Sequence, residues 1–205
     1  DPNYFEKNTV SLNIIENIFK YFQPILLQFL KYSEYENEIN RLSNTIDVPV
    51  DVYGDIGYKK MVVSLSLINY LGCKSLKQST MFKKFNYFFK IRPDSIINDY
   101  LDLKLLNNSL ISPLSNSHNV YEDKVKYSMN DQMCFTDNFD FLSTYCNLYE
   151  HLSEVYKLLH NVNINEPKKY FYESILGYFV KIMKKLNVKE IPIQIGIVRN
   201  DNILY

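Results

Sequence analysis

Residues 137–160 read DNFDFLSTYCNLYEHLSEVYKLLH. Leu142, Tyr145, Tyr149, Leu152, Tyr156 and Leu159 recur there at intervals of three and four, and Leu148 and Val155 widen the stripe. That spacing lines one flank of an α-helix, so we expect a helix over about 137–160, capped by Thr136 or Asp137. A second helix is expected close behind. Asn165 caps it, Pro167 occupies its first turn, and Phe171, Ile175, Tyr178, Phe179, Ile182 and Leu186 line its inner side. The short connection makes the two antiparallel neighbours.

Upstream, Ile14, Ile18, Phe22, Ile25 and Phe29 predict a helix over 9–32 that Pro24 kinks. A polar helix follows over 34–44. Met61, Leu65, Ile68 and Leu71 place another over 58–71, with Gly72 as its stop. Residues 75–91 read as a helix with an aromatic face of Phe82, Phe85, Phe88 and Phe89 beside Met81. Asp94 then caps a short helix to Leu106. Residues 107–135 hold Asn, Ser, Pro and Asp with no clean period, and form the longest irregular stretch.

Two segments alternate strictly instead: Ile46-Asp47-Val48-Pro49-Val50-Asp51-Val52 and Ile191-Pro192-Ile193-Gln194-Ile195-Gly196-Ile197. Alternation is the signature of a strand. The expected fold class is therefore mainly α, a compact domain of about six or seven helices. A small peripheral two- or three-stranded sheet is expected from 46–53, 191–198 and 203–205, with the first two segments paired. One globular domain is expected over 1–205. Since the chain opens on Asp1 and stops within a strand pattern at Tyr205, we read it as a fragment or processed form.

Composition narrows the function. Basic and acidic residues balance at 23 each, whereas nucleic-acid binders usually carry a basic excess. No apolar run is long enough to span a bilayer. Asn, Ile, Lys and Tyr supply 81 of the 205 residues, and Ala is absent. This bias matches an AT-rich genome, such as that of a parasite, a large DNA virus or a low-GC bacterium, so the lysine and asparagine load carries little chemistry.

Five features offer candidate sites. Gly54-Asp55-Ile56-Gly57 followed by Lys59 and Lys60 places a glycine turn before a helix start. An anion could sit there on bare peptide N–H groups, but the segment matches neither common phosphate-loop pattern, and a tight strand-to-helix turn accounts for the two glycines. Pro93-Asp94 with Asp102-Leu103-Lys104 superficially matches a metal-dependent nuclease pattern, on a segment that reads as helix. His151 and Glu154, with Glu150, share a helix face without a further ligand pair. Cys73, Cys134 and Cys146 lack metal-ligand spacing, and a Cys134–Cys146 bridge is open in an oxidising compartment. Thirty-one Tyr and Phe side chains suit both core filling and interfaces. No cofactor is expected. The leading expectation is a non-enzymatic interaction or structural domain with another protein as partner, part of a larger assembly. The alternatives are a phosphate- or nucleotide-binding enzyme, or its relic, using Gly54, Gly57, Lys59 and Lys60, and a nucleic-acid-handling subunit using Lys83-Lys84 and Lys184-Lys185.

Overall fold

The computed structural model describes residues 16–17, 20, 30–46, 56–92, 95–97, 100–114, 127–161, 170–193, 195–199 and 202–204. The chain falls into two compact units, 1–31 and 32–205. In the first, Glu16, Asn17 and Lys20 are helical, and the stripe expected from Ile14 to Phe29 lies outside the described residues.

The second unit opens with α1 (Tyr32–Thr45) and α2 (Ile56–Gln78). Ile39 of α1 is buried, as are Val62, Val63, Ser66 and Leu67 on one flank of α2. The Ser43 and Ser66 hydroxyls donate back to the carbonyls of Ile39 and Val62, at 2.6 and 2.9 Å, so both are buried without losing a partner. Gly72 does not stop α2. A Cβ there would meet nothing within 4 Å, and Cys73 and Leu76 continue to pack on the core beyond it. Packing outweighs glycine's weak helix preference. The helix ends at Ser79-Thr80, where Thr80 turns left-handed with φ 56°.

The helix expected over 75–91 is therefore wrong beyond Gln78. A 3₁₀ turn (Met81–Lys84) leads into strand β1 (Phe88–Ile91). Next come β2 (Ser95–Ile97), a 3₁₀ turn (Leu103–Leu105) in place of the helix expected up to Leu106, and β3 (Leu110–Pro113). The stretch expected to be irregular thus holds β3 and also β4 (Met133–Thr136). The long helix expected over 137–160 is two helices, α3 (Phe139–Cys146) and α4 (Leu148–Asn161). At the break the Asn147 N–H bonds to Thr144 rather than one residue further back. Asn138, not Thr136 or Asp137, caps α3 by accepting from the Asp140 N–H at 2.9 Å. The last helix, α5 (Tyr172–Gly177), passes into a π-helical turn (Tyr178–Met183), which leaves Ile182 exposed instead of inward. Asn165 and Pro167 lie outside the described residues.

The fold is mixed α/β with helices dominant. Its sheet is no peripheral hairpin. Four strands run in the order β1-β4-β3-β5, where β5 is Val188–Ile191. Antiparallel pairs join β1 to β4 and β4 to β3, and β3 pairs parallel with β5. Every residue of β3 and β4 is buried. Leu110 and Cys134 face the main core with α1 to α5. Ile111, Met133 and Phe135 face a second core with Ile195, flanked by Leu101, Leu106, Ile191 and Ile193. The segment expected as one strand over 191–198 is split at Pro192-Ile193, and β6 (Ile195–Arg199) joins a three-stranded sheet, β2-β6-β7. There β7 (Asn202–Leu204) pairs antiparallel with β6, as the expected return strand requires. The described strands flanking β6 are β2 and β7; the segment expected to pair with it, 46–53, lies beyond Ile46 outside the described residues. Among the described residues no helix is long and apolar enough to cross a membrane.

Two glycines give opposite expectations. A Cβ on Gly177 would collide with the backbone carbonyl of Tyr127, so Gly177→Ala should cost about 1–3 kcal/mol or more. Gly72→Ala, in open helix, should add about 0.5–1 kcal/mol. Urea unfolding midpoints of both variants check this.

Candidate functional site

The outermost strand, β1, carries the least finished surface of the main sheet. Its residues pair Phe88 with Thr136, Phe89 with Phe135, Lys90 with Cys134 and Ile91 with Met133. The next pair in register is Arg92 with Gln132, and the Arg92 N–H bonds to the Gln132 carbonyl at 2.8 Å. Hydrogen-bonded and non-bonded pairs alternate along an antiparallel ladder. Lys90 and Phe88 therefore spend their peptide groups on β4, while those of Ile91 and Phe89 point away from it. Among the described residues no strand pairs with that side.

Side chains compound the exposure. Phe85 is already extended, with φ −120° and ψ 141°. Phe89 and Ile91 stand on one face of β1, 51% and 46% exposed, and Phe85 and Tyr87, 44% and 46% exposed, extend this apolar row across a bend at Asn86. No charged residue interrupts the row. Phe89 stacks on Phe135 with ring centroids 5.8 Å apart, so the row continues the apolar face of the second core. On the opposite face Phe88 is buried and meets the Phe139 ring edge-on at 5.3 Å. Phe82 stacks on that same ring at 4.2 Å.

The strand is held from below. Lys90 reaches inward, where its ammonium donates to the Asp131 carbonyl and lies 5.9 Å from the centre of the Tyr145 ring. Burial pulls its pKa below the ordinary lysine value, opposed by nearby Cys134 and Asp131. Arg92 pairs with the Asp131 carboxylate at 3.2 Å and fixes the strand's far end. Lys83 and Lys84, at the near end, are exposed.

The other candidates are placed as follows. Gly54 lies outside the described residues, and Gly57 sits in the first turn of α2. The Lys59 ammonium donates to the Ile46 carbonyl at 2.9 Å, and Lys60 is half-buried. Tyr58, just before them, accepts from the Tyr172 N–H at 3.0 Å, which ties the start of α2 to the start of α5. Asp94 lies outside the described residues. Asp102 accepts from the Lys104 N–H at 2.9 Å and so caps a 3₁₀ turn. His151 and Glu154 meet at 3.2 Å. Glu150 instead accepts from the Tyr70 hydroxyl at 2.6 Å, which holds its carboxyl below the usual range. Among the described residues no three His, Cys, Asp or Glu side chains gather as metal ligands. All three cysteines are free, so the Cys134–Cys146 bridge does not form; Cys146 hydrogen-bonds Cys73 instead.

The aromatic row is hidden in the sequence because 82, 85, 88 and 89 also satisfy helical spacing. The signal that would have found it is the alternation 85, 87, 89, 91. Asp131→Ala should unfasten the end of β1 and cost about 1–3 kcal/mol, with hydrogen exchange rising first at the Arg92 amide; urea unfolding and exchange by NMR check this. Compared with protein-family models, curated proteins and solved structures, the chain matches none.

Proposed function

We propose that this chain is a non-enzymatic interaction domain, a subunit of a larger assembly, that takes up an extended segment of a partner protein along β1. One observation carries the reading. The outward peptide groups and the outward apolar side chains belong to the same residues, Phe89 and Ile91. A helix laid on this edge would cover the rings but leave the peptide groups unbonded. An added strand satisfies both, since its main chain continues the ladder and its alternate side chains meet the row. The occupant we infer is an extended segment with apolar residues at every second position. Acidic residues at one of its ends would meet Lys83 and Lys84. The edge is short, and a four-residue ladder alone falls below the area of a stable interface. Leu103 and Leu105, 42% and 38% exposed on the connection that also carries Leu101 and Leu106, supply further apolar surface.

The test uses peptides of alternating apolar and polar residues with an acidic end, titrated into the full chain and followed by fluorescence anisotropy and amide exchange. The Phe89 and Ile91 amides should exchange fast in the free chain and become protected on binding. Phe89→Pro removes one outward N–H while leaving the bonds to β4 intact, and should weaken binding about tenfold, equivalent to about 1.4 kcal/mol. The reading fails if no such peptide binds, or if Phe89→Pro, shown folded by circular dichroism, binds as well as the parent.

A further inference from the structure

A pocket of about 260 Å³ opens between α2 and α3, with Asn147 and Glu150 also on its wall, and two of the three thiols line it. Because α2 runs past Gly72, Cys73, Lys74 and Lys77 all fall at its wall. Ser143 and Cys146 come from α3, one helical turn apart, and face them. Cys73 is half-buried and Cys146 is buried behind it. The two thiols share a hydrogen bond, and the Ser143 hydroxyl is a second partner of Cys73. Cys134 is also buried but does not line the pocket.

We propose that Cys73 and Cys146 form a thiol–disulfide exchange site that accepts small anionic disulfides and closes to an intramolecular bridge. The geometry divides the roles. Cys73 faces the pocket, and hydrogen bonds from Cys146 and Ser143, with the charge of Lys77, favour its thiolate against the cost of burial. The thiolate is the attacking species in exchange. Cys146 is kept protonated, first by the bond it donates to Cys73 and then by its burial. Cys134 is pushed up to about 12 by burial, which leaves it inert.

The steps balance. The Cys73 thiolate attacks one sulfur of the disulfide, whose S–S bond breaks, and the first half leaves and takes up a proton. Capping Cys73 removes the negative charge that held the Cys146 proton. Cys146 then loses that proton and attacks the Cys73 sulfur, and the second half leaves as a thiol. Two protein thiols are oxidised and one small disulfide is reduced to two thiols; excess small thiol runs the sequence backwards. Lys74 and Lys77 at the pocket wall outnumber the one carboxylate there, Glu150 of α4, whose charge the Tyr70 hydroxyl partly screens, and so select for disulfides that carry carboxylates. Lys74 is poised 5.4 Å over the centre of the Tyr70 ring, on the pocket's rim.

The experiment treats the full, reduced chain with glutathione disulfide, or with cystamine as the cationic control. Mass spectrometry of non-reduced digests then maps the products. The expected product in the unaltered chain is a Cys73–Cys146 link, formed faster with the anionic probe. Cys146→Ser should stop at a mixed disulfide on Cys73, Cys73→Ser should give neither product, and Cys134→Ser should behave as the parent. Lys74→Gln should slow the anionic probe about tenfold and leave a neutral disulfide unaffected, whereas Lys77→Gln, which also removes a charge that favours the Cys73 thiolate, should slow both. The rate should rise with pH at a midpoint below that of a free thiol. A link involving Cys134, no link at all, or a midpoint at or above the free-thiol value overturns the proposal; mapping the unaltered chain decides this even if a variant misfolds.

Discussion

A peptide chain that runs through the interior without regular structure must find a partner for each polar group it takes out of water. Residues 127–132 impose that constraint here, for all six are buried and none lies in a helix or strand. Their partners come from three directions. Lys181, on the π-helical turn, donates to the Ser128 carbonyl at 2.7 Å. The Met129 N–H donates to Glu173 at 3.0 Å. Lys90 donates to the Asp131 carbonyl from β1, and the Asn130 side chain accepts from the Gln132 N–H at 2.8 Å. Gly177 lets this segment lie directly on α5. The last helix, the edge strand and the entry to β4 are thereby held in one arrangement, with few ways to shift independently.

The same constraint explains what could and could not be read from the amino acids. Helices α1, α2, α3 and α4 were legible because each buries one flank, and a flank leaves a period of three and four. Their ends were not, because Gly72 and Asn147 act through local geometry that neighbours decide. Strands β3 and β4 were invisible for a different reason. Each is four residues long and buried on both faces, so the alternation that marks a half-exposed strand never develops. β1 was ambiguous, since its aromatic residues fit both periods and only the pairing with Cys134 and Phe135 settles the choice. Of the two candidate sites, the edge row was hidden by that ambiguity. The thiol pair was hidden by distance along the chain, since Cys73 and Cys146 lie on different helices and share no motif.

Both sites lean on α3. Phe139 at its start receives the rings of Phe82 and Phe88, which seat the approach to β1. Cys146 at its end closes the back of the thiol pocket. A helix of eight residues thus carries the support of the edge at one end and the second thiol at the other. Leu142 and Tyr145, buried between them, keep it fixed.

The parallel pairing of β3 with β5 sets the order in which the molecule can assemble. Leu110 meets Val188 only after α3, α4 and α5 have been laid down between them, and closing so wide a loop is slow compared with forming any helix. Until Val188 arrives, β3 presents an unsatisfied flank of buried-type residues, Leu110 and Ile111 among them. During synthesis the nascent chain therefore passes through a stage with sticky strand edges at β3 as well as β1, the period in which a chaperone would have most to shield.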